Sequence, residues 1–98
     1  MAVYVTLYRY TDAGMKNIKR AAEIARGWQQ EAQKHKVEVK ALYWLHGAYD
    51  AVTIIESDDD DAVTALLLAI GEQGYLRTET MRASSIDDVQ RAIQRLGG

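Results

Sequence analysis

The chain has 98 residues, enough for one hydrophobic core and too few for two, and its 48% hydrophobic and 27% charged residues are the balance of an ordinary globular domain. Twelve Lys and Arg against fourteen Asp and Glu leave a net charge of −2 with neither sign gathered into a tail, so nothing electrostatic argues for nucleic acid or a membrane surface as partner. There is no cysteine, which excludes disulfides, thiolate nucleophiles and Cys-built metal centres.

The N-terminal stretch Met1-Ala2-Val3-Tyr4-Val5-Thr6-Leu7-Tyr8-Arg9 has no basic segment followed by a long apolar run, so a cytoplasmic location is expected. Val3 to Tyr10 alternates, with Val3, Val5 and Leu7 on one side and Tyr4, Thr6, Tyr8 and Tyr10 on the other, which predicts a first strand. Thr11-Asp12 offers an N-cap. Met15, Ile18, Ala21, Ala22, Ala25, Trp28 and Ala32 then recur at steps of three and four, predicting one long amphipathic helix that ends near His35. Val37 to His46 is extended in character, and the turn at Gly47-Ala48 leads to a strand from Tyr49 to Glu56. Strands joined so briefly must be antiparallel neighbours.

Ser57 is expected to begin a second helix, with Asp58 to Asp61 in its first turn and Ala62, Val63, Leu66, Leu67 and Ile70 on its buried side. Its apolar run from Ala65 to Ile70 is far short of the roughly 20 residues that span a bilayer. Gly71 and Gly74 can end it, Tyr75 to Ala83 reads as a fourth strand, and Ser84-Ser85 cap a short helix with Ile86, Val89, Ile93 and Leu96 on one face.

The order β-α-β-β-α-β plus a terminal helix predicts an α+β protein of ferredoxin-like arrangement, a single domain over residues 1–98 whose four-stranded antiparallel sheet carries two helices on one face. The other face should be polar in a monomer. It is not, because strand two has Val39, Ala41, Tyr43 and Leu45 opposite Leu42 and Trp44, and strand three has Val52 and Ile54 opposite Ala51, Thr53 and Ile55. Both faces need cover, so a homodimer or higher oligomer is expected.

At His46-Gly47-Ala48-Tyr49-Asp50-Ala51-Val52 the chain resembles the GYD domain family, named for its Gly-x-Tyr-Asp stretch. The resemblance continues through Thr53-Ile54-Ile55-Glu56, Asp58-Asp59, the Ala- and Leu-rich helix and Arg77-Thr78-Glu79-Thr80-Met81-Arg82-Ala83, and takes in Tyr4-Val5-Thr6-Leu7 and Thr11-Asp12-Ala13-Gly14 at the start. It implies a dimeric α+β barrel, two sheets face to face, and no established reaction. A looser similarity is to the effector-binding domain of leucine-responsive-type regulators, which bind amino acids and assemble into rings.

Five groups of residues invite a chemical reading. Tyr49 and Asp50 sit beside Gly47, where backbone can approach a ligand closely; they are equally the residues of a tight turn with a carboxylate accepting backbone N–H bonds. The row Tyr4, Thr6, Tyr8 and Tyr10, joined by Tyr43 or Trp44, can line a pocket for a planar ligand or form a dimer core. Arg77 is either a carboxylate clamp or half of an ion pair with Glu79. His46 and His35 lie at no metal-ligand spacing, and His46 is the first candidate if haem or proton transfer is involved. The run Asp58-Asp59-Asp60-Asp61 suits a helix N-terminus without any metal.

The reading these residues support is a homo-oligomeric small-molecule-binding or assembly module with its pocket at the inter-sheet face, formed by Tyr4, Thr6, Tyr8, His46, Tyr49, Asp50 and Arg77, with no cofactor or metal. The alternative is a small cofactor-independent or haem-degrading monooxygenase or isomerase of the same barrel type; a third is an oligomer whose interface is packed shut.

Overall fold

The computed structural model describes residues 1–97 and has strands β1 (Ala2–Tyr10), β2 (Glu38–Trp44), β3 (Ala51–Ser57) and β4 (Leu76–Ala83), with helices α1 (Asp12–Lys16), α2 (Ala21–Lys34), α3 (Asp60–Glu72) and α4 (Ile86–Gln94). The sheet runs β2-β3-β1-β4 with every neighbouring pair antiparallel, the expected ferredoxin-like order. Register sorts the side chains into rows across all four strands. Facing the helices are Val39–Ile55–Tyr4–Arg82, Leu42–Thr53–Thr6–Thr80 and Trp44–Ala51–Tyr8–Thr78; facing away are Ala41–Ile54–Val5–Met81 and Tyr43–Val52–Leu7–Glu79.

The core lies between sheet and helices, where Tyr4 and Ile55 meet Ala32 of α2 and Val63, Leu66 and Ile70 of α3. Thr6 is fully buried, and its hydroxyl is matched by Thr80 Oγ1 at 2.8 Å, so a polar pair crosses the core without an unmet partner. A bulge at Lys40 interrupts the β2–β3 register between Val39 and Ala41, and the Lys40 ammonium stands 3.3 Å from Glu38 and 3.7 Å from Glu56.

Three expectations are corrected. The long first helix is broken: α1 stops at Asn17, a 3₁₀ turn covers Ile18–Arg20, and α2 starts at Ala21. Asn17 competes for the backbone, its side-chain amide donating to Ala13 O at 3.1 Å. The break shifts the helical phase, so Met15 and Ile18 point outward, while Ala21, Ile24, Ala25, Trp28 and Ala32 face the sheet. Ser57 ends β3 instead of opening a helix: its buried hydroxyl donates to Lys36 O at 3.0 Å, and Asp59 supplies the cap by accepting from Ala62 N at 3.1 Å. β3 begins at Ala51, because Tyr49 and Asp50 belong to the connection.

Candidate functional site

Strand pairing divides the expected site residues between two faces. Tyr4, Thr6 and Tyr8 lie under the helices. Tyr4 O–H donates to Asp60 at the start of α3, and Tyr8 O–H shares a hydrogen bond with Thr53 Oγ1 at 2.9 Å. The Asp60 carboxylate raises the Tyr4 phenol above its ordinary value, with desolvation adding to the shift; burial is the main cause that raises Tyr8, opposed by its threonine hydrogen bonds.

The Gly-x-Tyr-Asp connection clamps the β2–β3 end to β1. Gly47 takes a φ of 150°, a conformation open to glycine. Asp50 then stitches three segments, its N–H donating to Tyr8 O at 2.8 Å, its carbonyl accepting from Leu45 N at 2.9 Å, and its carboxylate accepting from Tyr10 N at 2.8 Å. Tyr49 points across the open face and donates to Glu79 Oε2 at 2.6 Å, while the Arg9 guanidinium lies 4.5 Å from its ring centroid and donates to Ala48 O at 3.1 Å. Glu79 raises the Tyr49 phenol above its ordinary value.

Arg77 does not join them. It reaches around the β4 edge to Gly71 O at 3.2 Å and Leu76 O at 3.0 Å, so Glu79 pairs with Tyr49 and the Arg77–Glu79 ion pair does not form. His46 is exposed in the connection, and His35 meets only Glu31, at 3.2 Å on the surface. The four aspartates are dispersed: Asp58 lies near the N-terminal ammonium, Asp59 caps α3 and Asp60 meets Tyr4. No cluster of three metal-competent side chains occurs among the described residues.

One concave space, a cavity of about 80 Å³, lies between the sheet and the helices, and the aromatic residues Tyr8, Tyr10, Trp28, Trp44 and Tyr75 are among those that line it. Trp44 Nε1 donates to the Tyr10 hydroxyl oxygen at 3.0 Å, which holds these two rings of the lining together. Trp28 and Tyr75 are outside the expected site. The signal for Trp28 was its place on the sheet-facing side of α2, but only tertiary packing brings it to Tyr8. Asp50 reaches this region only at main-chain atoms, its N–H at Tyr8 O and its carboxylate at Tyr10 N, so the carboxylate serves the backbone. Asp50→Ala orphans the part-buried Tyr10 donor and is expected to lower unfolding free energy by about 1 kcal/mol, read from urea midpoints.

The open face offers a second kind of site. No helix of the described residues packs on the rows Ala41–Ile54–Val5–Met81 and Tyr43–Val52–Leu7–Glu79, and Tyr43 is 65% and Met81 44% exposed. This is a contiguous apolar surface bounded by charge, Arg9 and Glu79 at one end and Glu38, Lys40 and Glu56 at the other.

Comparison with known proteins places these features in context. The model of the GYD domain matches residues 4–93. A relative from Thermus thermophilus, the "glutamine synthetase and cystathionine beta-lyase binding protein", is 28% identical over 90 residues, 91% of this chain and 95% of that one. Among solved structures, the crystal structure of FFRP-DM1 superposes with a TM-score of 0.61 at 20% identity, covering 86% of this chain and all of that one; it supports the fold alone.

Proposed function

The chain belongs to the GYD domain family, and from that premise we propose that it is a binding module whose partners are proteins and whose first partner is a second copy of itself. The observation that carries this reading is the open sheet face, two apolar rows across four strands with none of the described helices packed on them. A patch of that kind on a small domain marks an interface. The name of the Thermus relative supports extending the partners to enzymes such as a glutamine synthetase or a cystathionine β-lyase, which would place the protein in the cytoplasm with them.

The aromatic cavity favours a second reading, in which the module also takes a small flat apolar ligand between Tyr8, Trp28 and Trp44. The Tyr8 hydroxyl already shares a hydrogen bond with Thr53 and the Tyr10 hydroxyl oxygen accepts from Trp44, so such a ligand would be selected by shape more than by hydrogen bonds. Within this reading Tyr8 touches the ligand and Tyr4 and Thr6 back it, while His46, Tyr49, Asp50 and Arg77 stand outside.

Native mass spectrometry of the purified chain, alone and mixed with a glutamine synthetase, tests the proposal. A dimer or larger species and a mixed complex are expected, and retained extra mass would report a ligand. A clean monomer at tens of micromolar, in the range where weak specific complexes still form, would remove self-association; an unaltered enzyme peak would remove the enzyme partner.

A further inference from the structure

We infer that α4 is an arm donated to the second copy, seated at the edge of that copy's open sheet face; this rests on the self-association proposed above. Its start is firmly built. Two residues separate it from β4, and a capping box ties Ser85 Oγ to Asp88 N at 3.0 Å and the Asp88 carboxylate to Ser85 N at 2.9 Å.

Beyond that cap the helix has little cover among the described residues. Ile86, Val89 and Ile93, followed by Leu96 in the turn after the helix, are 87%, 47%, 52% and 81% exposed, and the three in the helix form one side with Arg91 on the opposite one. Among the described residues no other element packs substantially on α4. A nine-residue helix is below the length that holds alone in water, so a helix capped this carefully and striped this clearly needs a surface to lie on.

Among the described residues the open sheet face is an extended surface of matching character. The helix-facing side of the sheet is taken by α2 and α3, which leaves the open face. Each copy therefore has one uncovered helical stripe and one uncovered sheet face, and a two-fold exchange satisfies both in both copies at once. The area suffices. The stripe exposes on the order of 300 Å² of aliphatic side chain, and with the receiving surface and the symmetric contact the arms alone bury roughly 1,200 Å², past the threshold of about 1,000 Å² for a specific interface.

Hydrogen exchange of the α4 amides, followed on the full chain above and below the concentration at which it dimerises, tests the arm. The expected result is free exchange in the dilute monomer and exchange slowed by at least about tenfold in the dimer. Equal protection at both concentrations would show α4 covered by its own chain, and an unprotected α4 in an intact dimer would show it free; either overturns the arm and leaves self-association standing. A chain monomeric at every concentration overturns both.

A second measurement uses the pair Val89→Glu and Ile93→Glu. It is expected to weaken the dimer by at least about tenfold while the circular dichroism of the body stays unchanged, because no other element of the described residues packs substantially on α4. An unchanged dimerisation constant would overturn the arm.

Discussion

If the proposed dimer forms through the open face, Ile54→Glu is expected to turn it into a folded monomer, raising the dissociation constant at least about a hundredfold. Ile54 sits at the centre of the open face, paired with Val5 on one side and Ala41 on the other. In a monomer a carboxylate there meets water and costs the fold little beyond a lost apolar contact. At the interface it is removed from water without a cation opposite, at several kcal/mol for each copy, and two-fold symmetry brings two of them together. Each 1.4 kcal/mol is tenfold in the constant, so even a fraction of that penalty is visible at micromolar concentrations. Sedimentation velocity gives the mass and thermal denaturation shows that the monomer remains folded. An unchanged dimer mass would move the interface off this face.

Gly14→Ala is expected to cost about 3 kcal/mol of stability, a fall in Tm on the order of 10–20 °C at fixed protein concentration. The reason is proximity. Thr11 N donates to Tyr75 O at 3.1 Å, Thr11 Oγ1 donates to Gly74 O at 2.6 Å, and Gly14 N in turn donates to Thr11 Oγ1 at 3.1 Å, so the first turn of α1 is drawn against the chain entering β4. A Cβ on Gly14 would lie 2.1 Å from the Tyr75 carbonyl oxygen and 3.0 Å from Tyr10 Cδ1. The first is backbone and cannot rotate aside. Gly27 is the contrast: a Cβ there meets nothing within 4 Å, so Gly27→Ala in α2 should raise stability by up to about 1 kcal/mol. Calorimetry of the two variants side by side separates a steric requirement from a general intolerance of substitution; equal Tm values would refute the close-approach account.

The element order and sheet type could be read from the chain because period-two and period-three-to-four patterns are local. The alternation from Val3 to Tyr10 is that of β1, and Ile86, Val89 and Ile93 share a face of α4, while Leu96 falls just beyond its end. Where a side chain competed with the backbone, pattern failed: Asn17 broke the first helix, and Ser57 turned inward to bond Lys36 O. The site was less legible for a different reason. Alternation says that Tyr4, Thr6 and Tyr8 share a face and cannot say which, since both sides of β1 are apolar enough for a core. The helices decide it by packing on the tyrosine side. Residue type alone grouped Tyr49 and Arg77 with that row, but the connection turns Tyr49 to the opposite face and Arg77 spends its donors on the end of α3. Gly14 was visible only as part of a turn, because the carbonyl it accommodates comes from Tyr75, sixty-one residues later.

The bulge at Lys40 restricts how copies can meet. β2 is an outer strand of the sheet, and a regular outer strand displays a ladder of free N–H and C=O groups on which another chain's strand can grow. Here the register slips midway, and an ammonium held between Glu38 and Glu56 sits at the irregularity, so an incoming strand would find neither a continuous ladder nor an uncharged margin. Growth by strand addition, the open-ended route to fibres, is discouraged on that side. The proposed contact through sheet faces and helical arms would close after a fixed number of subunits, so the same chain could carry a large adhesive surface at high concentration and still assemble to a finite size.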